Sequence, residues 1–313
     1  MLIIEVMGGL GNQLQQYALY QKMKSLGKEV KLDISWFSDE KKQGSVLASR
    51  RLELDYFENL PMEICTQQEK ERLIGKGGLA GKVKRKLFPS RNRHFWESGM
   101  YHPEIFSLED QYLTGFWACE KYYADILPKL RELIVFPGEV SADAEGTKSE
   151  TDEWKDKNIQ TICRMKKELS VSIHIRRGDY LDPENAAMFG GICTERYYDA
   201  AVGYMEERCP GAHYYIFSDD IPYVREHYQG SRFTIVDWNT GENSFFDIQL
   251  MKNCRHNICA NSTFSFWGAR LNGNSDKIMI RPAKHKNSQQ IIPQEMHELW
   301  ENWILIDEEG RLI

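Results

Sequence analysis

With 313 residues, of which 42% are hydrophobic and 27% charged, the chain has the composition of a globular protein and the length of two domains of roughly 150 residues each. Its net charge of −6 argues against nucleic acid as the main partner, because nucleic-acid-binding proteins usually carry an excess of basic residues. The 7 cysteines are scattered without a CxxC pair, which argues against a disulfide framework or a zinc knuckle and is typical of a reducing cytoplasm.

The first part of the chain alternates strand-like and helix-like segments. Residues 2–7 form an apolar run that stops at Gly8 and Gly9, and residues 12–26 continue without proline or glycine up to Gly27. A strand, a glycine-rich loop, a helix and a second strand in this order predict an α/β domain with a parallel sheet. The predicted elements are strands 2–7, 30–33 and 112–116 and helices 12–26 and 121–135.

An acid-rich, weakly apolar stretch at residues 139–156 predicts a linker or a solvated helix between two domains. After it, strands and helices alternate with short connections, which predicts a doubly wound sheet. The predicted elements are strands 170–175, 213–217, 233–236, 257–260 and, as the last strand, 277–280, and helices 195–207, 244–252, 263–271 and 295–303. We therefore expect one α/β domain at 1–150, a second at 151–293, and a closing helix and tail at 294–313.

Ligands of doubly wound sheets bind beyond the carboxyl ends of the strands, and four polar segments fall at such positions. In the first, residues 8–13, three glycines (Gly8, Gly9 and Gly11) precede Asn12. Glycines let backbone N–H groups approach a phosphate or a sugar, and a helix N-terminus adds partial positive charge. A tight structural turn explains these glycines equally well.

The second segment runs from His174 to Tyr180 and places two adjacent arginines at the end of a strand. If the strand persists, His174 and Arg176 share one face and Arg177 points to the other. A guanidinium group matches phosphate oxygens with two parallel hydrogen bonds. We expect Arg176 to bind a ligand and Arg177 to shape the loop through an ion pair with Asp179.

The third and fourth segments carry polar side chains after two further strands. Residues 218–220 (Ser-Asp-Asp, with Asp219 at the centre) either cap the following helix, contact a nucleoside, or make a hydrogen bond that bridges the two domains. Residues 261–265 (Asn-Ser-Thr-Phe-Ser) stand at a strand-to-helix turn, where they either cap the helix or bind a diphosphate. Asp247, on the helix between these segments, either accepts hydrogen bonds from a guanine edge, caps the helix, or pairs with Arg255.

The four segments, taken together and in this order, resemble those of the bacterial α-1,2-fucosyltransferases of glycosyltransferase family 11. The resemblance covers nearly the whole chain and rests on Gly-Gly-Leu-Gly-Asn-Gln at 8–13, His-Ile-Arg-Arg-Gly-Asp-Tyr at 174–180, Phe-Ser-Asp-Asp at 217–220 and Asn-Ser-Thr-Phe-Ser-Phe-Trp-Gly-Ala at 261–269. It implies an α/β fold of the GT-B type, with two Rossmann-like domains facing across a cleft. The first would lie on the acceptor side and the second would bind GDP-fucose.

The family further implies transfer of L-fucose from GDP-fucose to the 2-hydroxyl of a terminal galactoside, with inversion and without a metal or another cofactor. Arg176 would hold the β-phosphate, His174 and Asp247 would lie near the guanosine, and Asn12 would reach the donor across the cleft. The implied donor-binding residues are Gly9, Gly11, Asn12, His174, Arg176, Asp219, Asp247, Asn261, Ser262, Thr263, Phe264 and Ser265. Arg176 and Asp179 are the catalytic candidates, with Asp179 as base by position alone, and Glu5 and His102 are the alternative bases.

Departures from the family's motifs bear on the acceptor. Residues 14–18 are Leu-Gln-Gln-Tyr-Ala where the family has Met-Phe-Gln-Tyr-Ala, and residues 265–270 are Ser-Phe-Trp-Gly-Ala-Arg where it has Ser-Trp-Trp-Gly-Ala-Trp. A tryptophan that follows Ser-Asp-Asp in the family is absent. The alternatives are therefore a fucosyltransferase of another linkage, a transferase of another GDP-sugar, and a non-catalytic nucleotide-sugar-binding protein.

The location of the protein is predicted from two features. The first residues lack the basic region and cleavage site of a signal peptide, and no apolar run is long enough to cross a bilayer, so we expect a cytoplasmic protein. Residues 82–93 hold 6 basic side chains and no acidic one. This segment is either a solvated loop or a weak contact with anionic inner membrane, led by Lys84, Arg85 and Lys86. The acceptor would then be a galactose-terminated oligosaccharide or a lipid-linked glycan.

Overall fold

The computed structural model of the chain describes residues 1–43, 50–57, 60–75, 93–138 and 153–313. These residues divide into two compact units, Met1–Pro137 and Gly138–Ile313. The basic segment 82–93 lies outside the described residues except for Arg93, and the predicted linker 139–156 lies outside them except for its last four positions. No helix in the described parts of the chain has the length and apolar character needed to span a bilayer.

Unit 1 (Met1–Pro137) is built on a four-stranded parallel sheet with the strand order β2-β1-β4-β3. Its strands are β1 Leu2–Glu5, β2 Val30–Asp33, β3 His94–Trp96 and β4 Gln111–Thr114, and its helices are α1 Leu10–Ser25, α2 Glu40–Gln43, α3 Gln67–Ile74 and α4 Leu127–Leu133. The apolar start of the chain forms the central strand β1 because Leu2, Ile3 and Ile4 are fully buried. Beyond it, Gly8 turns the chain into α1 with a backbone φ of +78°, a conformation that glycine adopts readily.

Several predicted boundaries of unit 1 need correction. The strand predicted at 2–7 is Leu2–Glu5, and the strand predicted at 112–116 is Gln111–Thr114. Helix α1 begins at Leu10 rather than at residue 12, so Gly11 and Asn12 lie in its first turn and not in a loop. The predicted helix 121–135 is confined to α4 and is preceded by two 3-10 turns. The sequence also does not predict strand β3, because its three residues are too few to show an alternating pattern.

Unit 2 (Gly138–Ile313) contains a six-stranded parallel sheet with the order β10-β9-β8-β5-β6-β7. Its strands are β5 Ser170–Ile175, β6 His213–Ser218, β7 Phe233–Val236, β8 His256–Ile258, β9 Met279–Pro282 and β10 Trp303–Ile306. Its helices are α5 Glu153–Met165, α6 Pro183–Phe189, α7 Glu195–Arg208, α8 Ile221–His227, α9 Phe246–Asn253, α10 Thr263–Leu271 and α11 Pro293–Leu299. Two α/β units on parallel sheets confirm the predicted fold class.

The carboxyl-terminal part of unit 2 differs from the prediction. Residues 277–280 were expected to hold the last strand, and 294–313 a closing helix and tail. Strand β10 follows the closing helix instead and pairs with β9 in parallel, from Trp303 opposite Met279 to Ile306 opposite Pro282. The side chains of Trp303, Leu305 and Ile306 are buried, so this segment completes the sheet.

Helices α9 and α10 pack closely because residue 268 is a glycine. A Cβ atom placed on Gly268 would lie 2.6 Å from the Cβ of Met251 on α9. The Cβ of Met251 is bonded directly to the backbone and cannot rotate away, so a side chain at 268 would push the two helices apart.

Gly268→Ala should therefore destabilise the protein by about 1–3 kcal/mol, the usual cost of overpacking a close contact. Gly203→Ala is the matched control: Gly203 also lies inside a helix, α7, and a Cβ there would meet no atom within 4 Å. It should stabilise by up to about 1 kcal/mol, because alanine favours helix more than glycine does. Urea unfolding of both variants checks this, and equal effects of the two substitutions would contradict it.

Candidate functional site

The order of strands in unit 2 creates a switch point between β5 and β8. From β5 the chain builds outward through β6 to β7, and then returns to place β8 on the other side of β5. Ile173 of β5 lies opposite Ile258 of β8, so the loops that follow these two strands leave the sheet side by side. In open α/β sheets this crevice is where ligands bind.

The carboxylate of Asp219, after β6, holds the loop that follows β5. Its Oδ1 accepts hydrogen bonds from the backbone N–H groups of Arg177 at 2.8 Å and Gly178 at 3.0 Å. A Cβ atom on Gly178 would lie 2.7 Å from Asp219 Oδ2, so a larger residue at 178 would displace the carboxylate that holds the loop. Asp219, predicted as a nucleoside contact, is thus in this structure the residue that positions the arginine loop.

Arg176 is the charged centre of the loop. Its guanidinium forms ion pairs with Asp179 Oδ1 at 2.7 Å and Asp219 Oδ2 at 2.8 Å. Burial alone would lower the pKa of Arg176, but the charges of Asp219 and Asp179 outweigh burial and raise it. The side chain keeps 28% of its surface exposed, so a permanently charged guanidinium faces the switch point.

Arg177 has a structural role, although with another partner than predicted. Its Nε donates to Asp220 Oδ2 at 3.0 Å, and its guanidinium lies 3.8 Å from the ring centre of Tyr223. The expected ion pair between Arg177 and Asp179 is wrong, because Asp179 pairs with Arg176. Asp220 also caps α8 by accepting the N–H of Tyr223 at 3.2 Å, so the capping role predicted for this segment belongs to Asp220.

His174, in β5, lies buried beneath the arginine loop. Its ring is 5.7 Å from that of Phe264 in the first turn of α10. Burial lowers its pKa from 6.5 to about 4, with a smaller opposing effect of the Asp219 charge, so the imidazole is neutral at neutral pH. Its Nδ1 has no hydrogen-bond partner among the described residues. Buried polar atoms are nearly always paired, so this nitrogen, which solvent does not reach in the structure, is a candidate partner for a ligand that enters beside it.

The N-terminus of α10 follows β8 at the same switch point. Ser262 is its N-cap residue, yet its side chain makes no capping hydrogen bond, and the hydroxyl of Ser265 donates to the backbone oxygen of Ser262 at 3.1 Å. Ser262 therefore stands at the cap position but does not cap the helix with its side chain, unlike one of the two alternatives predicted for this segment. A helix N-terminus without a side-chain cap presents N–H groups and partial positive charge, which suits an anion.

Asn261 lies beside this turn, but its side-chain amide binds protein atoms. Its Nδ2 donates to the backbone oxygens of Phe189 and His285 at 3.0 and 3.1 Å, and its Oδ1 accepts from the thiol of Cys193 at 3.4 Å. The backbone oxygen of Asn261 accepts from the hydroxyl of Tyr180 at 3.1 Å. Predicted as a donor contact, Asn261 in this structure fastens the loops after β5 and β8 to each other.

Asp247 lies in the first turn of α9 and is the last member of a hydrogen-bonded polar network. Its Oδ1 accepts from Asn239 Nδ2 at 2.9 Å, so its partner is Asn239 and not Arg255. Asn239 and the buried Asn158 exchange hydrogen bonds, and Trp238 donates to Asn158 at 2.7 Å. Burial raises the pKa of Asp247 to about 8, and the hydrogen bond from Asn239 opposes this effect only in part. Sequence reasoning missed Asn158 and Asn239, which are 81 positions apart and belong to no motif.

The predicted glycine segment belongs to unit 1 and is largely helical. Gly9 is the N-cap of α1, and its oxygen accepts the N–H groups of Asn12 at 2.9 Å and Gln13 at 3.1 Å. The buried side chain of Gln13 donates to the backbone oxygens of Gly8 and Arg51. Gln13, which was not predicted as important, thus fixes the turn that contains Gly8 and Gly9.

The three candidate bases all have polar partners. Asp179 is paired with Arg176, as described above. Glu5 is buried at the end of β1, where it pairs with Lys42 at 2.5 Å and accepts from Thr114 at 2.8 Å. His102 lies 3.0 Å from Glu104 through Nδ1. Within the described ranges, no three His, Cys, Asp or Glu side chains are grouped so that they could hold a metal ion.

His174→Asn should change how stability depends on pH. Between about pH 6.5 and pH 4, His174 takes up a proton when the chain unfolds but not when it is folded, so the wild type loses stability as the pH falls. The loss relative to the variant should reach at most about 1.4 kcal/mol per pH unit. Urea unfolding from pH 4 to 8 measures it. The exposed His297, replaced by Asn, is the control and should follow the wild type; a constant difference between His174→Asn and wild type would contradict the buried, neutral state.

Comparison with known proteins identifies the family. The profile of "Glycosyl transferase family 11" matches residues 107–307. The chain is 30% identical over 290 residues to the alpha-1,2-colitosyltransferase of Escherichia coli, an alignment that covers 90% of this chain and 91% of that protein. It is 29% identical over 105 residues to the galactoside alpha-(1,2)-fucosyltransferase 2 of Bos taurus, which is 33% of this chain and 30% of the bovine one.

Among solved structures, a glycosyl transferase family 9 protein from Veillonella parvula aligns with 90% of this chain and 80% of its own, at a TM-score of 0.39 and 12% identity. That likeness is too distant to add to the identification. Two findings identify the family: the match of the family profile, and the identity to the colitosyltransferase along most of both chains. The chain belongs to glycosyl transferase family 11.

Proposed function

We propose that this enzyme transfers L-fucose from GDP-fucose to the 2-hydroxyl of a terminal galactoside, with inversion at the anomeric carbon. The observation that carries the proposal is the convergence of Arg176, the unpaired Nδ1 of His174 and the uncapped N-terminus of α10 at one switch point. These groups suit a sugar nucleotide, whose diphosphate is an anion. The identity to a galactoside alpha-(1,2)-fucosyltransferase over 105 residues supports the linkage and the acceptor.

In the proposed reaction, catalysis comes from stabilising the leaving GDP. Negative charge grows on the diphosphate as the bond to fucose breaks, while the sugar becomes oxocarbenium-like. Arg176 and the N–H groups of residues 263–265 are fixed donors, so they bind the departing diphosphate more strongly than the ground state. The neutral imidazole of His174 adds a hydrogen bond. Asp247, whose raised pKa keeps its carboxyl protonated at neutral pH in the free protein, would lose its proton and accept from the guanine edge, because N–H donors favour the charged form.

Inversion requires a single displacement by the acceptor hydroxyl, whose proton a base can take late in the reaction. We propose Asp179 as this base. A diphosphate that binds Arg176 would compete for the guanidinium, and the Asp179 oxygen that now lies 2.7 Å from Arg176 would become available for the proton. Glu5 and His102 remain the alternatives. The acceptor would be a galactose-terminated oligosaccharide or a lipid-linked glycan on the cytoplasmic side.

A second candidate function is colitosyl transfer, because a relative that aligns over 290 residues is an alpha-1,2-colitosyltransferase. Colitose differs from L-fucose by lacking the 3-hydroxyl. A site that hydrogen-bonds this hydroxyl rejects the deoxy sugar strongly, whereas an apolar surface there accepts it. The ratio of kcat/KM for the two GDP-sugars therefore distinguishes the candidates.

GDP release from GDP-fucose should occur with a small β-galactoside such as lactose, and linkage analysis should find α-1,2-linked fucose. Because arginine and N–H groups are proposed to bind the diphosphate, excess EDTA should change the rate by no more than about twofold. GDP-colitose and GDP-mannose are tested in parallel. Preference for either of them, a different linkage, or activity that a divalent ion must restore would each refute the corresponding part of the proposal.

Arg176→Ala should lower kcat by about a hundredfold or more, the scale of losing one charge-stabilising donor. Arg176→Lys should rescue poorly, because an ammonium group cannot form two parallel hydrogen bonds. Arg225→Ala is the control, since Arg225 is an exposed arginine of the same unit paired with Asp237. Near-wild-type rates in both Arg176 variants would remove this residue from the site.

A further inference from the structure

A row of four side chains crosses the sheet of unit 1 at the carboxyl ends of its strands. Glu5 lies opposite Asp33, and Trp96 lies opposite Thr114, whose hydroxyl donates to Glu5 at 2.8 Å. Residues in register on neighbouring parallel strands point to the same face of the sheet. Asp33, Glu5 and Thr114 are buried, whereas Trp96 is 64% exposed. The row thus ends in a large aromatic side chain open to solvent.

Trp96 is held in place. Its ring stacks on that of His94, with centroids 4.3 Å apart and an angle of 27°. His94 Nε2 lies 2.9 Å from the hydroxyl of Thr114, which connects it to Glu5. Leaving so large an apolar surface in water and at the same time fixing its orientation contributes nothing to the core of the unit. An exposed, oriented aromatic ring is typical of a binding surface.

A second exposed aromatic residue follows the neighbouring strand. Phe116, just after β4, is 49% exposed. The carboxylate of Glu97 fixes the turn around it by accepting the N–H groups of Phe116 at 2.7 Å and Trp117 at 2.8 Å. A Cβ on Gly115 would lie 2.4 Å from the Cβ of Glu97, and Trp117 has a φ of +53°, which is strained for a residue with a side chain. Backbone strain of this kind concentrates at functional sites.

We propose that Trp96 and Phe116 form the stacking surface for the acceptor sugar, a β-galactoside. The axial 4-hydroxyl of galactose leaves C3–H, C4–H and C5–H together on one face of the ring, an apolar patch that an indole can cover. Two polar side chains follow Trp96 in the sequence, with the hydroxyl of Ser98 2.8 Å from Nε2 of His102. This hydroxyl and this imidazole are groups that can bind sugar hydroxyls. The assignment of this surface to an acceptor deepens the proposed function and rests on it, whereas binding of a galactoside here can be measured alone.

Saturation-transfer difference NMR with methyl β-D-galactopyranoside tests binding without any donor. The wild type should give signals strongest at H3, H4 and H5, and Trp96→Ala should lose at least most of them, while Trp96→Phe keeps them. Ile159→Ala is the control, because Ile159 is a comparably exposed apolar residue, 59%, in unit 2. No signal from the wild type, or equal signals from wild type and Trp96→Ala, would overturn the inference.

Kinetics separate this inference from the proposed function. If the enzyme fucosylates lactose, Trp96→Ala should raise the KM for lactose about tenfold or more and leave the KM for GDP-fucose unchanged. Fucosylation with an unaltered KM for lactose in Trp96→Ala would refute the stacking surface and leave the proposed function standing. Galactoside binding that depends on Trp96, in an enzyme that releases no GDP from GDP-fucose, would refute the proposed donor and leave the stacking surface standing.

Discussion

The carboxylate of Asp219 is the interaction on which the candidate donor site depends. It stands at the end of one central strand and binds two backbone N–H groups and the guanidinium at the end of the next. A single charged group thereby fixes both the path of the loop and the direction of Arg176. Without it, the N–H groups of Arg177 and Gly178 would lose their acceptor and the Arg176 guanidinium would lose one of its two carboxylate partners. A less firmly held cation is a weaker stabiliser of a transition state, because the charge must be aligned before the reaction begins.

The other half of the site is placed by helix packing. Helix α10 carries its uncapped N-terminus to the switch point, and the glycine at 268 lets it lie directly against α9. Phe264 then brings the first turn of α10 beside His174 of β5. The polar part of the site is therefore supported by apolar contacts away from it, which hold the N–H groups of the helix and the imidazole on neighbouring elements.

The sequence predicts the strands and long helices of unit 2 well, because buried elements of this kind have local patterns of apolar and polar residues. β5, β6 and β7 were found within a residue of their ends, since continuous apolar runs stop at polar or glycine residues. The position of Arg176 at a strand end followed from the same reasoning. The partners of the charged groups could not be predicted in this way. Only the packed structure brings together Arg177 with Asp220 and Asp247 with Asn239. Strand β3 was also missed, because its three residues carry little periodicity, and strand β10 was missed because its first residue was assigned to the predicted closing helix at 295–303.

Strand β10 has a consequence for the order in which the protein folds during synthesis. Unit 1 is complete once Pro137 has left the ribosome, whereas the sheet of unit 2 gains its edge strand only when residues 303–306 emerge. Thr194, the N-cap of α7, also donates to the backbone oxygen of Glu308, so one contact of a helix that packs on this sheet forms only with the same late residues. Until then the apolar side chains beside β9 lack their cover. A nascent chain would thus carry a finished first unit and an open second one, the stage at which chaperones bind and at which truncated chains aggregate.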